Sequence, residues 1–463
     1  MPDEPARGPR PRVEVSRDES VRLAYSRDVS GLELVPEGVV RPTSAEEIVE
    51  LLHEASAAGT PVTPAGGQTS TTGASITDRG LLLSLRAMDR VLDVDVAGRV
   101  ARVQPGVLLG DLKRRVAEEG LLFAPDPTSE EDTTIGGAVA CNASGARTLR
   151  YGATRSHVRA LTVALASGEV VELRRRPLEK NTVGYAVAHD PVDWFVGSEG
   201  TLGVTLEAEL ALLPRPAAVL GLAVPFAGEA DALAFVVAAR DDAHLAPRCL
   251  EFFDRLAFEI VRGAAADAGW APDADALVYL EDDAEEPPLD RWLALAEAHG
   301  AAAADIRAYG SEGELKEARR LRHAVPATMN ERGGARRAHG GRKVSTDWAV
   351  PHRELAGAIH FARAVAERHG VPQAVIYGHA GNGHPHQNFI AHDADELRRI
   401  EAVVEETLRH VIALGGTVAA EHGVGKIKRK WVGLQLSPLQ IGAMRALKRE
   451  LDPGGILSPG NVL

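Results

Sequence analysis

His379, His384 and His386 stand within eight residues, joined by the tight turn Ala380–Gly381–Asn382–Gly383. Strand-like apolar runs flank the turn, Ala374–Tyr377 and Phe389–Ala391. Such a turn carries His379 and His386 back toward one another. Farther along come Glu421 and His422. Two imidazoles and a carboxylate suit a divalent cation, Zn²⁺ foremost, and leave a coordination position open for substrate. A single histidine is more often structural; three in one glycine turn, followed by Glu-His, point to chemistry. Arg319, Arg320 and Arg322, on a helix expected over 312–323, add planar donors that match a carboxylate as lysine cannot. Most arginines on such a helix are solvated, so none is decisive alone.

Three glycine-rich segments read as a second kind of site. The first, Ala65–Gly66–Gly67–Gln68–Thr69–Ser70–Thr71–Thr72, follows the short strand 60–63. Its backbone can turn several N–H groups into one anion-binding nest, and its hydroxyls add donors. It has no Walker lysine and opens no G-x-G-x-x-G helix. Taken alone, it is equally well a surface turn. The second holds Pro127 and Thr128, then Thr134, Gly136, Gly137, Ala140, Asn142, Ser144 and Gly145, then Tyr151 and Gly152. So many small residues suit a flat ligand lying against backbone, although a close-packed small-residue helix is the plainer account. The third, Trp194–Val204, has glycines at 197, 200 and 203.

In this order and spacing the three segments resemble the FAD-binding type-4 proteins of the vanillyl-alcohol oxidase/p-cresol methylhydroxylase superfamily. The similar branch holds glycolate oxidase, D-lactate dehydrogenase and D-2-hydroxyglutarate dehydrogenase, and the likeness runs from about residue 20 to 463. It implies that 65–72 and 136–145 grip the FAD pyrophosphate and ribityl chain, with Glu199, Gly203 and Val204 by the adenine half. Some relatives attach flavin to a histidine in the first segment. None lies between Pro64 and Gly73, which implies noncovalent FAD. The resemblance also makes His379, His386 and Glu421 the metal ligands, His422 the base, Arg322 the carboxylate-binding arginine and Asn388 a substrate contact. Asn382 replaces the usual Asp, weakening a hydrogen bond behind the ligands. His384 replaces the usual Asn and offers an alternative ligand. Ser345 falls where dicarboxylate users place lysine, favouring a monocarboxylate such as lactate or glycolate, with Lys343 able to reach in. The terminal Asp452–Asn461 stretch resembles the family segment that returns to the flavin, bringing Asn461.

The expected reaction is FAD-dependent oxidation of a small D-2-hydroxy acid, by hydride transfer to the flavin. Two competitors are a flavin-fold transferase of the alkylglycerone-phosphate synthase type and a metal-dependent hydrolase. The first needs a long acyl tunnel, and the second leaves the glycine-rich segments unexplained.

The elements that must position these residues read as α+β. The resemblance implies a two-part FAD-binding domain and an α+β substrate cap with an antiparallel sheet, the C-terminal segment returning to the FAD domain. The expected divisions are a disordered arm over 1–20, an FAD-binding domain over 21–215, a cap over 216–420 and a closing segment over 421–463. Thr43 and Ser44 start a helix that Gly59 stops, with an Ile48/Leu51/Leu52/Ala55 stripe. Beyond the proline-marked boundary at 212–216, strands and helices alternate from 219 to 298. A last helix spans about 437–450.

Composition narrows the class further. The net charge of −13 (52 basic against 65 acidic residues) disfavours nonspecific nucleic-acid binding. Two cysteines, Cys141 and Cys249, exclude a disulfide framework and a Cys-ligated iron–sulfur cluster. Electrons would therefore pass to a separate acceptor: a cytochrome, a quinone, an electron-transferring flavoprotein or O₂. Residues 1–20 have no apolar signal-peptide core, and no run of about 18 apolar residues occurs. These features lead one to expect a cytoplasmic protein, at most peripheral at the inner membrane face, and leave room for a homodimer.

Overall fold

The computed structural model describes residues 13–463 apart from Pro177. Helix Ala45–Ala58 begins where the Ser44 hydroxyl accepts from the Glu47 N–H and ends at Gly59 in the left-handed region. Its stripe of Ile48, Leu51, Leu52 and Ala55 is buried. It packs with the parallel strands Gly38–Val40, Leu81–Ser84 and Val62–Ala65 into one core. Of the arm expected over 1–20, residues 1–12 lie outside the described residues. The remainder is structured: Val15 pairs with Val40, and Asp18 caps a helix over Glu19–Ala24. Val13 and Val15, alternate residues in a polar stretch, pack on that core.

A second sheet is antiparallel throughout. Its spatial order is Val91–Asp95, Val100–Val103, Val204–Ala211, Val158–Ala164, Val170–Arg174. These two sheets carry the three glycine-rich segments on their connections. The C-terminal stretch does return here, because the Val62 N–H donates to the Ile456 carbonyl at 2.8 Å and Leu457 joins the first sheet's core.

The cap is a seven-stranded antiparallel sheet in the order Arg307–Tyr309, Leu220–Phe226, Ala276–Asp282, Pro247–Phe253, Val375–His379, His384–Asp393, Gly340–Ser345. Side chains of a strand alternate between faces, and each face has its own core. One face packs helices Glu229–Asp241, Leu289–Ala298, Leu355–Arg368 and Ala394–Ala413. The other packs Arg255–Ala264 and Glu312–Gly334. The last of these outruns the expected 312–323. Pro326 removes the N–H that would bond the Arg322 carbonyl, yet Val325 and Met329 are buried and hold the helix on course to Gly334.

Candidate active site

Strand Val375–His379 turns through Ala380–Asn382 into His384–Asp393, with Gly383 left-handed at φ 67°. A Cβ on Gly383 would stand 1.9 Å from the Val350 carbonyl oxygen, so position and conformation both require glycine. The register sets His379 opposite His384, Tyr377 opposite His386 and Val375 opposite Asn388. Alternation then turns His384, His386 and Asn388 to one face and Gln387 and Phe389 to the other. The first face is the one covered by Glu312–Gly334, which brings Arg322 to the histidines.

Glu421 reaches them from the chain after helix Ala394–Ala413. Its Oε2 lies 3.3 Å from His379 Nε2, and its Oε1 lies 3.2 Å from His386 Nε2 and 3.3 Å from His422 Nε2. Ser144, from the second glycine-rich segment, donates to Glu421 Oε2 at 3.4 Å. The two kinds of site therefore meet.

Two carboxylates missed in the sequence hold this arrangement. Glu251 accepts from Arg322 Nε at 2.6 Å and lies 2.6 Å from His379 Nδ1. Asp347 accepts from the Glu421 and His422 N–H groups at 3.2 and 3.0 Å, and it pairs with Lys428. Asp347 Oδ1 also lies 3.0 Å from His384 Nε2 and 3.5 Å from His422 Nδ1. Both are fully buried. The available signal was a lone acid in each apolar run, Cys249–Phe253 and Asp347–Val350.

Burial disfavours charge on every group here, and neighbours decide which groups keep it. Burial alone would raise Glu251, but Arg322 and His379 hold it at about 2. Burial would lower His379, but Glu251 and Glu421 carry it up to about 10. For His386 burial wins, pushing it down to about 3, so its ring is neutral and has a lone pair to give. His422 is the most open imidazole of the four, its side chain 24% exposed against 3% for His379.

The donor set fits a divalent cation. Donor atoms of Asp347, His384, His386 and Glu421 lie within 4.8 Å of one another, and His379 Nε2 adjoins Glu421. Among the described residues His386 Nδ1 is buried without a partner. Glu251 on His379 Nδ1 is the carboxylate backing that orients a metal-binding imidazole. Asn382, beside these residues in sequence, is exposed.

The glycine-rich segments also converge. Ala65, Gly66, Ser70, Gly136, Gly137, Ala140, Glu199, Gly203 and Val204 line one slot between the two smaller sheets, an arrangement that fits FAD. The other expected contacts are partly engaged elsewhere. Gly67 and Gly145 lie against the Asp132 and Asp126 carbonyls, closer than any Cβ would permit. Gln68 donates to the Tyr25 carbonyl, and the Thr69 and Thr133 hydroxyls meet at 3.2 Å. Thr134 caps helix Ile135–Cys141, and Asn142 closes it in the left-handed region. Pro127 and Thr128 precede it as irregular chain. The Tyr151 hydroxyl bonds Asp283 of the cap. The Glu199 carboxylate accepts from the Val424 and Gly425 N–H groups, tying down the chain just after His422. Asn461 bonds the Ala74 carbonyl and Lys426. Of the expected substrate contacts, Asn388 lies buried on the histidine face, while Lys343 bonds Asn330 at 2.5 Å, away from the cluster. Both cysteines are free.

An FAD slot joined to a buried His/Glu cluster by Ser144 defines a flavin-dependent redox enzyme in which a cap domain closes on the flavin domain. Comparison with known proteins agrees. Residues 36–174 match the family described as "FAD binding domain", and residues 215–462 match "FAD linked oxidases, C-terminal domain". The chain is 33% identical over 458 residues to the glycolate oxidase protein GlcD of Bacillus subtilis, covering 95% of this chain and 92% of that one. It is 32% identical to a D-lactate dehydrogenase of Archaeoglobus fulgidus, over 92% of this chain and 91% of the relative. A D-2-hydroxyglutarate dehydrogenase of Xanthomonas citri pv. viticola is 31% identical, over 92% and 89%. Among solved structures, alkyldihydroxyacetonephosphate synthase superposes with a TM-score of 0.72 at 18% identity, over 96% of this chain and 82% of that one, a likeness of fold. The chain belongs to the FAD-linked oxidases and is an oxidoreductase. Among the described residues no helix is long and apolar enough to cross a membrane.

Proposed function

We propose that the protein oxidises a D-2-hydroxy acid to the 2-oxo acid, with monocarboxylates such as D-lactate or glycolate favoured over dicarboxylates, and passes the electrons to a separate acceptor. The observation that carries this reading is the contact between the FAD segment and the histidine cluster, Ser144 to Glu421, with Arg322 buried beside it. Noncovalently bound FAD would supply the two-electron acceptor for the hydride leaving the substrate α-carbon. A divalent cation on His379, His386 and Glu421, Zn²⁺ by the donor set, would polarise the substrate oxygens. His422 takes the hydroxyl proton, a role its exposure permits and imidazole chemistry suits. Arg322 orients the carboxylate and Asn388 a neighbouring polar group. Asp347 fixes the backbone on which Glu421 and His422 sit. Ser345, opposite Asn388 in register, offers no cation for a second carboxylate.

The test is dye reduction by the purified flavoprotein with D- and L-lactate, glycolate and D-2-hydroxyglutarate, alongside metal analysis. Reduction by D-lactate or glycolate, with bound metal, is expected. A yellow protein that no 2-hydroxy acid reduces would refute the reading.

A further inference from the structure

The histidine face of the cap sheet does not end at the cluster. It continues past Asn388 into a cavity of about 550 Å³ between the sheet and helices Arg255–Ala264 and Glu312–Gly334. Asn388 is its inner wall, one side-chain repeat, or about 7 Å, beyond His386 on the same strand face. Asn388 is 1% exposed; the Tyr377 hydroxyl faces its amide, and neither amide atom makes a further hydrogen bond among the described residues. A buried primary amide with hydrogen-bonding capacity to spare marks a place where a ligand's polar end belongs. Outward from it Val375, Met329, Ile390 and Ile260 line the wall together with the polar Thr328 and Gln373, and the exposed Glu259, Arg332 and His392 stand at the rim. From Asn388 to His392 the strand runs about 13 Å.

We infer that this cavity receives the side chain of the oxidised acid, and that the preferred substrates are D-2-hydroxy acids with an extended apolar side chain. The inference rests on the proposed function. With its carboxylate at Arg322 and its hydroxyl at His422, the substrate directs its third substituent along the histidine face. Asn388 meets the polar head, and the methylenes lie over Val375, Ile390 and Met329. Glycolate and D-lactate leave the cavity unfilled. A side chain ending in a carboxylate would lay its charge over Val375, Ile390 and Met329 unless it were long enough to reach Arg332 at the rim, because Ser345 beside Asn388 gives no counter-ion.

The experiment is steady-state dye reduction by the holoenzyme across glycolate, D-lactate and the D-2-hydroxy derivatives of butyrate, hexanoate and octanoate. Burying a methylene is worth about 0.8 kcal/mol, so kcat/KM is expected to rise up to about fourfold per carbon as far as hexanoate. Gly263→Trp and Ile260→Trp, two separate fillings of the outer cavity, are each expected to lower the octanoate-to-lactate ratio of kcat/KM at least about tenfold. A Cβ at Gly263 meets nothing within 4 Å, so that side chain starts into open space. A series that is flat or falls beyond D-lactate would overturn the inference while leaving the proposed function standing, as would variants that lower every member equally. Failure of every acid to reduce the dye would instead remove the proposed function, and this inference with it.

Discussion

Glu251→Gln separates a working cluster from a merely buried one. Glu251 is 0% exposed, and its two oxygens meet Arg322 Nε and His379 Nδ1, each at 2.6 Å. Glutamine keeps the shape but offers one oxygen and one NH₂, so one of the two partners must face a donor. Arginine does not surrender its proton; the amide oxygen therefore turns to Arg322 and the NH₂ to His379. In the neutral form that binds a cation, His379 keeps its one ring proton on Nδ1 toward Glu251; facing the NH₂ it must accept there instead, which moves that proton to Nε2, the nitrogen 3.3 Å from Glu421. A protonated Nε2 cannot bind a cation. Loss of such a backing partner lowers metal affinity about 10–100-fold. Neutralising one side of the buried Arg322–Glu251 pair lowers stability by about 3–5 kcal/mol. The assays are titration of metal-stripped protein with Zn²⁺ and denaturant unfolding, wild type against variant. Wild-type affinity together with a wild-type unfolding midpoint would refute the account of Glu251.

Gly67→Ala sets a Cβ 1.8 Å from the Asp132 carbonyl oxygen and forces the first two FAD segments apart. Overpacking costs about 1–3 kcal/mol, so FAD affinity should fall about tenfold or more, read as flavin absorbance per purified chain; unchanged flavin content would count against that packing. His422→Asn should lower kcat about 10²–10⁴-fold with flavin content and metal affinity retained, and a variant losing metal instead would make His422 a ligand. Burial raises the Asp254 carboxyl from its ordinary 3.8 to about 6. The unfolded chain therefore ionises first, and stability present at pH 4 is lost as pH rises through 6, by about 3 kcal/mol from this residue. Unfolding free energies of wild type and Asp254→Asn, measured from pH 4 to 7, should differ by an amount that changes across that window; a pH-independent difference would show that Asp254 ionises normally.

The histidine turn was readable because its residues are close in sequence and its glycines announce the turn that gathers them. Glu251 and Asp347 were not, since what makes each one matter lies far off in the chain: His379 and Arg322 for the first, Glu421 and Lys428 for the second. Helices 355–368 and 394–413 carry ordinary apolar stripes, and periodicity alone would have found them. Strand Gly340–Ser345 is different, because a polar edge strand holds its place through its partner, not its pattern. The helix bearing Arg322 looked shorter than it is because Pro326 is a local stop signal, and burial of Val325 and Met329 overrode it.

The glycine-rich segments teach something less expected. Their small residues suggested backbone pressed against a flat ligand, and several do line the slot. Gly67 and Gly145, however, are small because neighbouring backbone lies against them, the Asp132 and Asp126 carbonyls, and Gly136, which also lines the slot, is pressed by Pro105. The signature therefore reports loops folded closely on one another, and the slot is what those loops leave open. That explains how Ser144 can sit at the end of an FAD segment and still reach Glu421. The close packing fixes the loop's path, and Asp347 fixes the path of Glu421 from the other side.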